Sequence, residues 1–117
     1  MKLVIFIGFL FISAFHQVGI GEDGTLLVKV IKSNDRNLLN ISGSNTDCVD
    51  SLIIHTDKWR IALGRSDFSD ESIFEINSAE TAVLKMDLIQ SFELRFEGKI
   101  QHYQSTDSEF LRRELAK

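Results

Sequence analysis

The sequence contains no proline and only one cysteine, Cys48, among its 117 residues. Small extracellular domains commonly depend on several disulfides, and a single cysteine excludes any disulfide within the chain. Cys48 is therefore either a small buried hydrophobic residue or a candidate for an intermolecular disulfide, which would link a dimer. Without proline, the turns must be formed by Gly, Asn, Asp and Ser.

The chain also lacks an excess of positive charge. It has 13 basic and 17 acidic residues, which gives a formal net charge of −4. A mildly acidic surface with both signs mixed favours solubility, whereas a nucleic-acid-binding protein needs a basic patch. The composition therefore predicts no nucleic-acid partner.

The first 21 residues have the order of a secretory signal peptide. Met1-Lys2 is basic, Leu3–Phe15 is apolar, and Gly19-Ile20-Gly21 supplies small residues for a cleavage site. The apolar run of about 13 residues is shorter than the ~20 that a membrane-spanning helix needs. We predict a cleaved signal peptide over 1–21, with an uncleaved anchor or a buried strand or helix as the alternatives.

Cleavage after Gly21 would leave 96 residues, enough for one small domain with one core. The rest of the sequence has no second apolar run of membrane length, so we expect a secreted, extracellular product with no stable membrane span after cleavage. The expected division is a β-sandwich domain over 22–104 and a helix or tail over 105–117.

Short apolar segments separated by turn-forming residues recur about every 8–12 residues. Ala82–Leu88 alternates like a strand, although a helix over Ser78–Gln90 is the rival structure because that segment is rich in helix formers. The spacing predicts an antiparallel β-sandwich of six to seven short strands. The other predicted strands are Thr25–Ile31, Leu38–Ile41, Leu52–His55, Trp59–Leu63, Ile73–Ile76 and Phe92–Ile100.

Phe92–Ile100 has the clearest pattern, with Phe92, Leu94 and Phe96 on one face and charged residues on the other. Such alternation is typical of a half-buried antiparallel strand, in which Gly98 indicates a bulge or bend. The chain then changes character, because Thr106–Glu109 has the form of a capping box. A short C-terminal helix is therefore expected after it, with an apolar stripe of Phe110, Leu111 and Leu115.

Two residues are candidates for contact with other molecules. Asn40-Ile41-Ser42 is a glycosylation sequon, and use of Asn40 requires it to be exposed at an edge or in a loop. Trp59, the only tryptophan, is either a core anchor or an exposed contact for a ligand or partner, and the core is favoured.

No motif predicts catalysis, a metal or a cofactor. The sequence has no glycine-rich phosphate loop and no Gly-x-Ser-x-Gly element. His55 and His102 alone do not form a zinc constellation, and the acidic loop over 66–71 does not match a calcium loop. We therefore expect a protein that is not an enzyme and has no catalytic, cofactor-binding or metal site.

The order of these features resembles the amino-terminal domain of Notch ligands of the Delta/Jagged type. The resemblance covers roughly Gly24–Tyr103 and implies a β-sandwich that contacts a receptor or a membrane surface. The family usually carries more cysteines than this chain. The matching segments are Leu26–Val30, Thr46–Asp50 around Cys48, Leu63-Gly64, Phe74–Ile76 and Phe92–Phe96.

The expected function is a secreted, non-enzymatic binding module that contacts an extracellular protein or receptor. The alternative is a small secreted carrier that holds lipid or another apolar ligand between its sheets. A binding module should show an exposed apolar patch. A carrier should show an internal pocket lined by residues such as Phe92, Phe96 and Trp59.

Overall fold

A computed structural model describes residues 15–22, 24–43, 49–65 and 72–117 of the chain. Eight strands and two helices lie within these ranges. In chain order they are β1 (His16–Gly21), β2 (Gly24–Ser33), β3 (Arg36–Ser42), β4 (Ser51–Thr56), β5 (Arg60–Leu63), β6 (Ile73–Ile76), α1 (Ser78–Met86), β7 (Ile89–Phe96), β8 (Lys99–Ser105) and α2 (Ser108–Ala116).

The strands form a single antiparallel sheet that almost closes on itself. Their order is β5-β4-β7-β8-β1-β2-β3-β6. The two end strands meet just after β5, where Arg65 pairs with Phe74 of β6. At the same place the Glu75 N–H donates a hydrogen bond of 3.3 Å to the Gly64 carbonyl. The sheet is therefore barrel-like, and near-closure leaves few unpaired backbone groups at its edges.

The interior of this sheet is filled with side chains. Three aromatic rings, those of Phe74, Phe92 and Tyr103, are almost completely buried there among aliphatic residues from seven strands. Small closed sheets are commonly filled in this way. Both helices contribute to the same core, through Leu84 of α1 and through Phe110, Leu111 and Leu115 of α2.

The prediction of an antiparallel all-β fold is confirmed, but the division into two packed sheets is wrong. The structure has one eight-stranded sheet instead of a sandwich of six to seven strands. One extra strand arises because Phe92–Ile100 is interrupted by a turn. Glu97 and Gly98 have positive φ values of 49° and 76°, as a tight hairpin turn between β7 and β8 requires.

The prediction of a strand over Ala82–Leu88 is also wrong, because the chain forms helix α1 up to Met86. Asn77 caps the helix, and its side-chain oxygen accepts a hydrogen bond of 2.7 Å from the Glu80 N–H. Glu80 returns the interaction by accepting a 3.0 Å hydrogen bond from the Asn77 N–H. This capping box, together with good helix formers, outweighs the alternating pattern.

The predicted C-terminal helix is confirmed as α2, although the capping residue differs from the expected one. Asp107 is the N-cap and accepts a 3.0 Å hydrogen bond from the Phe110 N–H. The predicted apolar stripe of Phe110, Leu111 and Leu115 is buried in the core. The helix is stabilised by this packing, since an isolated helix of its length would be marginal.

Strand β1 occupies an interior position, between β8 and β2. Its Val18 is 0% exposed. Gly19 and Gly21 lie so close to β8 that an added Cβ would meet Tyr103 and His102. The strand falls within the predicted leader over 1–21, whose first 14 residues lie outside the described part of the chain. Leader cleavage itself remains a prediction.

Substituting Gly19 by alanine should destabilise the fold, because the new Cβ would lie 2.9 Å from the Tyr103 Cβ. Overpacking of this kind costs about 1–3 kcal/mol of unfolding free energy. Gly64→Ala is the matched control, since no atom lies within 4 Å of its added Cβ. Urea denaturation measures both variants. Equal stability of Gly19→Ala and the wild type would contradict the close approach of β1 to β8.

Candidate functional site

The most distinctive surface feature is a group of three exposed apolar residues on two neighbouring segments, Trp59, Met86 and Leu88, here called the Trp59 patch. Trp59 belongs to the turn between β4 and β5, whereas Met86 is the last residue of α1 and Leu88 lies just before β7. These two connections are joined directly, because the Asp57 N–H donates a hydrogen bond of 3.1 Å to the Leu88 carbonyl. The patch therefore lies at one end of the sheet.

All three side chains of the patch are strongly exposed. The exposed fractions are 60% for Trp59, 77% for Met86 and 58% for Leu88. A single exposed apolar residue is ordinary, but several large ones on hydrogen-bonded neighbouring segments indicate an interaction site. The prediction that Trp59 is a core anchor is wrong. The side chain is exposed, as the alternative prediction of a contact for a ligand or partner requires.

Thr56 holds the turn that carries Trp59. Its hydroxyl oxygen accepts hydrogen bonds from the Lys58 and Trp59 N–H groups, at 3.2 and 2.8 Å. The same hydroxyl donates to the Trp59 carbonyl at 3.2 Å, and the Thr56 N–H donates to that carbonyl at 2.8 Å. The hydroxyl uses its donor and both acceptor positions, which fixes the backbone at Trp59.

Charged residues of both signs flank the patch. Lys58 and Asp57 share the turn with Trp59, and Arg60 begins β5. On the other connection, Lys85 precedes Met86, and Asp87 separates it from Leu88. None of these five forms an ion pair with another described residue. Their charges are therefore available to a partner.

A second cluster of polar side chains lies on the outer face of β7, around Glu93. Glu93 is 6% exposed. One of its oxygens accepts a 2.7 Å hydrogen bond from Arg95 Nε, and the other lies 3.3 Å from His55 Nε2. His102 Nδ1 lies 4.0 Å from that second oxygen. The face of the strand that was predicted to carry the charged residues therefore contains a buried carboxylate, with a guanidinium and two imidazole rings beside it.

Strand register explains why these residues meet. Glu93 is paired with Ile53 of β4 on one side and with His102 of β8 on the other. His55 is two residues beyond Ile53, on the same face of β4. The sequence pattern assigned faces to the strands but did not indicate which strands are neighbours, so it missed this cluster.

The surroundings of Glu93 act on its pKa in opposite directions. Burial raises the pKa, but hydrogen bonds from Arg95 and His55 and the charges of Arg95 and His102 outweigh burial, so the pKa of Glu93 is lowered from its ordinary value. The ionised form is therefore the one that the folded protein favours. In the described ranges, no group of three or more His, Cys, Asp or Glu residues has a geometry that could hold a metal ion.

Replacing Glu93 by glutamine should destabilise the protein at neutral pH and reduce its sensitivity to acid. Because the folded pKa lies below the unfolded one, the carboxylate's contribution is present above about pH 4.3, the unfolded value, and is lost as pH falls through the folded pKa. Hydrogen bonds to a charged group contribute about 1.5–3 kcal/mol. Urea denaturation between pH 7 and pH 3 measures the difference.

Glu75→Gln is the comparison variant for this experiment. The hydrogen bond from Arg36 lowers the pKa of Glu75, but this pair is more exposed than Glu93. Exposed pairs contribute little to stability, so we expect a smaller effect than for Glu93→Gln. Wild type and Glu93→Gln losing stability in parallel on acidification would contradict the role given to Glu93.

The structure places one of the two predicted modification residues. Asn40 lies in β3, which has neighbours on both sides, and it is half-buried instead of lying at an edge or in a loop. Its side-chain oxygen accepts a 2.8 Å hydrogen bond from Ser72 Oγ. Cys48 lies outside the described residues. Glycosylation of Asn40 and a disulfide at Cys48 remain predictions.

The fold and the Trp59 patch define the class of the molecule as an antiparallel all-β protein with an exposed apolar tip. No helix in the described ranges is long and apolar enough to cross a membrane. Comparisons with protein-family models, curated proteins and solved structures found no match. The surface chemistry of the chain itself is therefore what indicates its function.

The surface position of Trp59 can be tested with its fluorescence, since no other tryptophan contributes. In the folded protein the emission maximum should lie close to that of tryptophan in water, and acrylamide should quench it nearly as strongly as in urea. The measurement is a quenching titration of folded and unfolded protein. Strong protection and a blue-shifted maximum in the folded protein would contradict the exposed position.

Proposed function

We propose that the protein is a secreted, non-enzymatic binding module that contacts another extracellular protein through the Trp59 patch. The observation that carries this proposal is the exposure of Trp59, Met86 and Leu88 on two connections joined by a hydrogen bond. Aromatic and methionine side chains are enriched at protein interfaces, and tryptophan is frequent among the residues that dominate binding energy.

The charges around the patch favour a protein partner. Three basic residues and two acidic ones are next to the apolar residues in the sequence: Lys58, Arg60, Lys85, Asp57 and Asp87. A polar rim of mixed sign is typical of a protein interface. A surface that binds anionic lipid usually carries basic residues almost alone, so lipid is the less favoured partner.

The rigidity of the Trp59 turn supports the same proposal. Association costs free energy whenever a loop or side chain must be ordered on binding. The four hydrogen bonds among Thr56, Lys58 and Trp59 already fix this backbone in the free protein. Binding of a partner at Trp59 therefore requires little further ordering of this backbone.

The described core gives less support to the alternative of an apolar-ligand carrier. Phe92 and Phe96 lie in the hydrophobic core together with Phe74 and Tyr103. Trp59 lies at the surface, so these residues do not line one common cavity as that alternative expected. Exposure at the tip of the sheet favours binding at the surface.

The resemblance to the amino-terminal domain of Notch ligands points to a receptor as the kind of partner. It depends on short apolar segments such as Leu26–Val30 and Phe92–Phe96, which form β2 and β7 of the core. The resemblance adds an extracellular setting to the proposal, while the Trp59 patch supplies the contact surface.

The binding proposal is tested by quantitative capture from an extracellular extract with four immobilised proteins. These are the wild type, Trp59→Ser, Leu88→Ser and the matched control Ile100→Ser, which removes an exposed apolar residue from β8. A genuine partner should be retained by the wild type and by Ile100→Ser. Its retention should fall at least about tenfold for each patch variant, as expected for an interface residue worth more than 1.4 kcal/mol.

Two further results complete the test. Equal retention of every captured protein by all four baits would overturn the proposal. Flotation of the wild type with anionic phospholipid vesicles, abolished in Trp59→Ser, would assign the patch to a membrane surface and would likewise contradict a protein partner.

A further inference from the structure

Strand β1 is held by contacts on every side. It pairs with β2 along its length, from His16 opposite Val28 to Gly21 opposite Gly24. Toward β8, Gly19 and Ile20 pair with Ser105 and Gln104. The strand is thus a structural member of the sheet, although its residues lie at the end of the predicted leader.

The strand also connects the sheet to α2. The His16 ring stacks on Phe110 with ring centroids 3.9 Å apart. The Thr106 N–H donates a 3.0 Å hydrogen bond to the Val18 carbonyl, just before the helix begins. Removing β1 would therefore detach the start of α2 as well as one strand.

Cleavage after Gly21 would leave a gap between β8 and β2. Strands on either side of a missing one are roughly 9–10 Å apart, too far for backbone hydrogen bonds. Both strands would expose unpaired backbone groups, and the core would lose Val18. The side chains of Tyr103 and Phe92, which lie close to Gly19, would also lose the cover that this strand provides.

We propose that the secretory leader is cleaved upstream of β1, after Ala14, so that the mature chain begins at Phe15. This inference rests on the proposed secretion. The sequence before His16 has a basic start, an apolar run over Leu3–Ile12 and a small residue, Ala14, directly before the cut, with Ile12 at the other recognition position. Cleavage there preserves all of β1, and Phe15 retains its position beneath the Lys29 ammonium group, 5.2 Å from the ring centre.

The test is to express the full chain in eukaryotic cells and to identify the amino terminus of the secreted protein by mass spectrometry. The expected terminal peptide begins at Phe15. A terminal peptide beginning at Glu22 would overturn this inference while leaving secretion intact. Retention of Met1 on a protein that stays in the cells would overturn both the cleavage site and the proposed secretion.

Two leucine substitutions test whether the leader is cut after Ala14. Ala14→Leu removes the small residue before the cut, so the peptide beginning at Phe15 should be lost and the unprocessed precursor should accumulate. Ser13→Leu is the matched control, because the residue between the two recognition positions tolerates any side chain. Unchanged processing of Ala14→Leu would overturn a cut after Ala14.

Discussion

Closure of one sheet around one core is the constraint on which the rest of the structure depends. Eight antiparallel strands enclose the side chains of Phe74, Phe92 and Tyr103, and the ends of the sheet meet where Arg65 pairs with Phe74. Such closure needs every interior strand, because a missing strand opens the backbone hydrogen bonds on both sides of it. Strand β1 is the element that continues the sheet from β8 to β2.

Closure of the sheet also limits where another molecule can bind to the protein. The inward faces of the strands are used by the core, so contact with another molecule falls to the outer faces and to the connections between strands. At one end, the turn after β4 and the segment after α1 carry three large exposed apolar residues on a hydrogen-bonded backbone. On the outer face of β7, Glu93 is instead satisfied within the protein by Arg95 and His55. The first surface is suited to binding, and the second stabilises the sheet.

Sequence periodicity predicted the parts of the fold that depend on local pattern. The inward face of Phe92, Leu94 and Phe96 and the apolar stripe of α2 are confirmed, because alternation and helical spacing follow directly from backbone geometry. Helix α1 was predicted only as the rival to a strand, since its residues alternate like a strand while its capping box favours a helix. Strand β1 was assigned to a leader, with a buried strand only as an alternative, because its residues follow an apolar run with a basic start and its glycines also fit a cleavage site.

The positions of the candidate sites depend on strand pairing and turn geometry, which local sequence patterns do not reveal. Which strands neighbour β7, and hence that His55 and His102 approach Glu93, follows from pairing across the whole chain. The exposure of Trp59 follows from the Thr56 turn, whose hydrogen bonds leave no signature in hydrophobicity. Such features require the register and turn geometry that only the folded structure supplies.

The integral position of β1 in the closed sheet is tested most directly by amide hydrogen exchange of β1 in the purified protein. If β1 is an integral strand of the closed sheet, the amides of Val18 and its neighbours should exchange as slowly as those of β7, through global unfolding. Exchange of β1 much faster than β7 under the same conditions would show that the sheet remains folded without β1, so that β1 is not one of its integral strands.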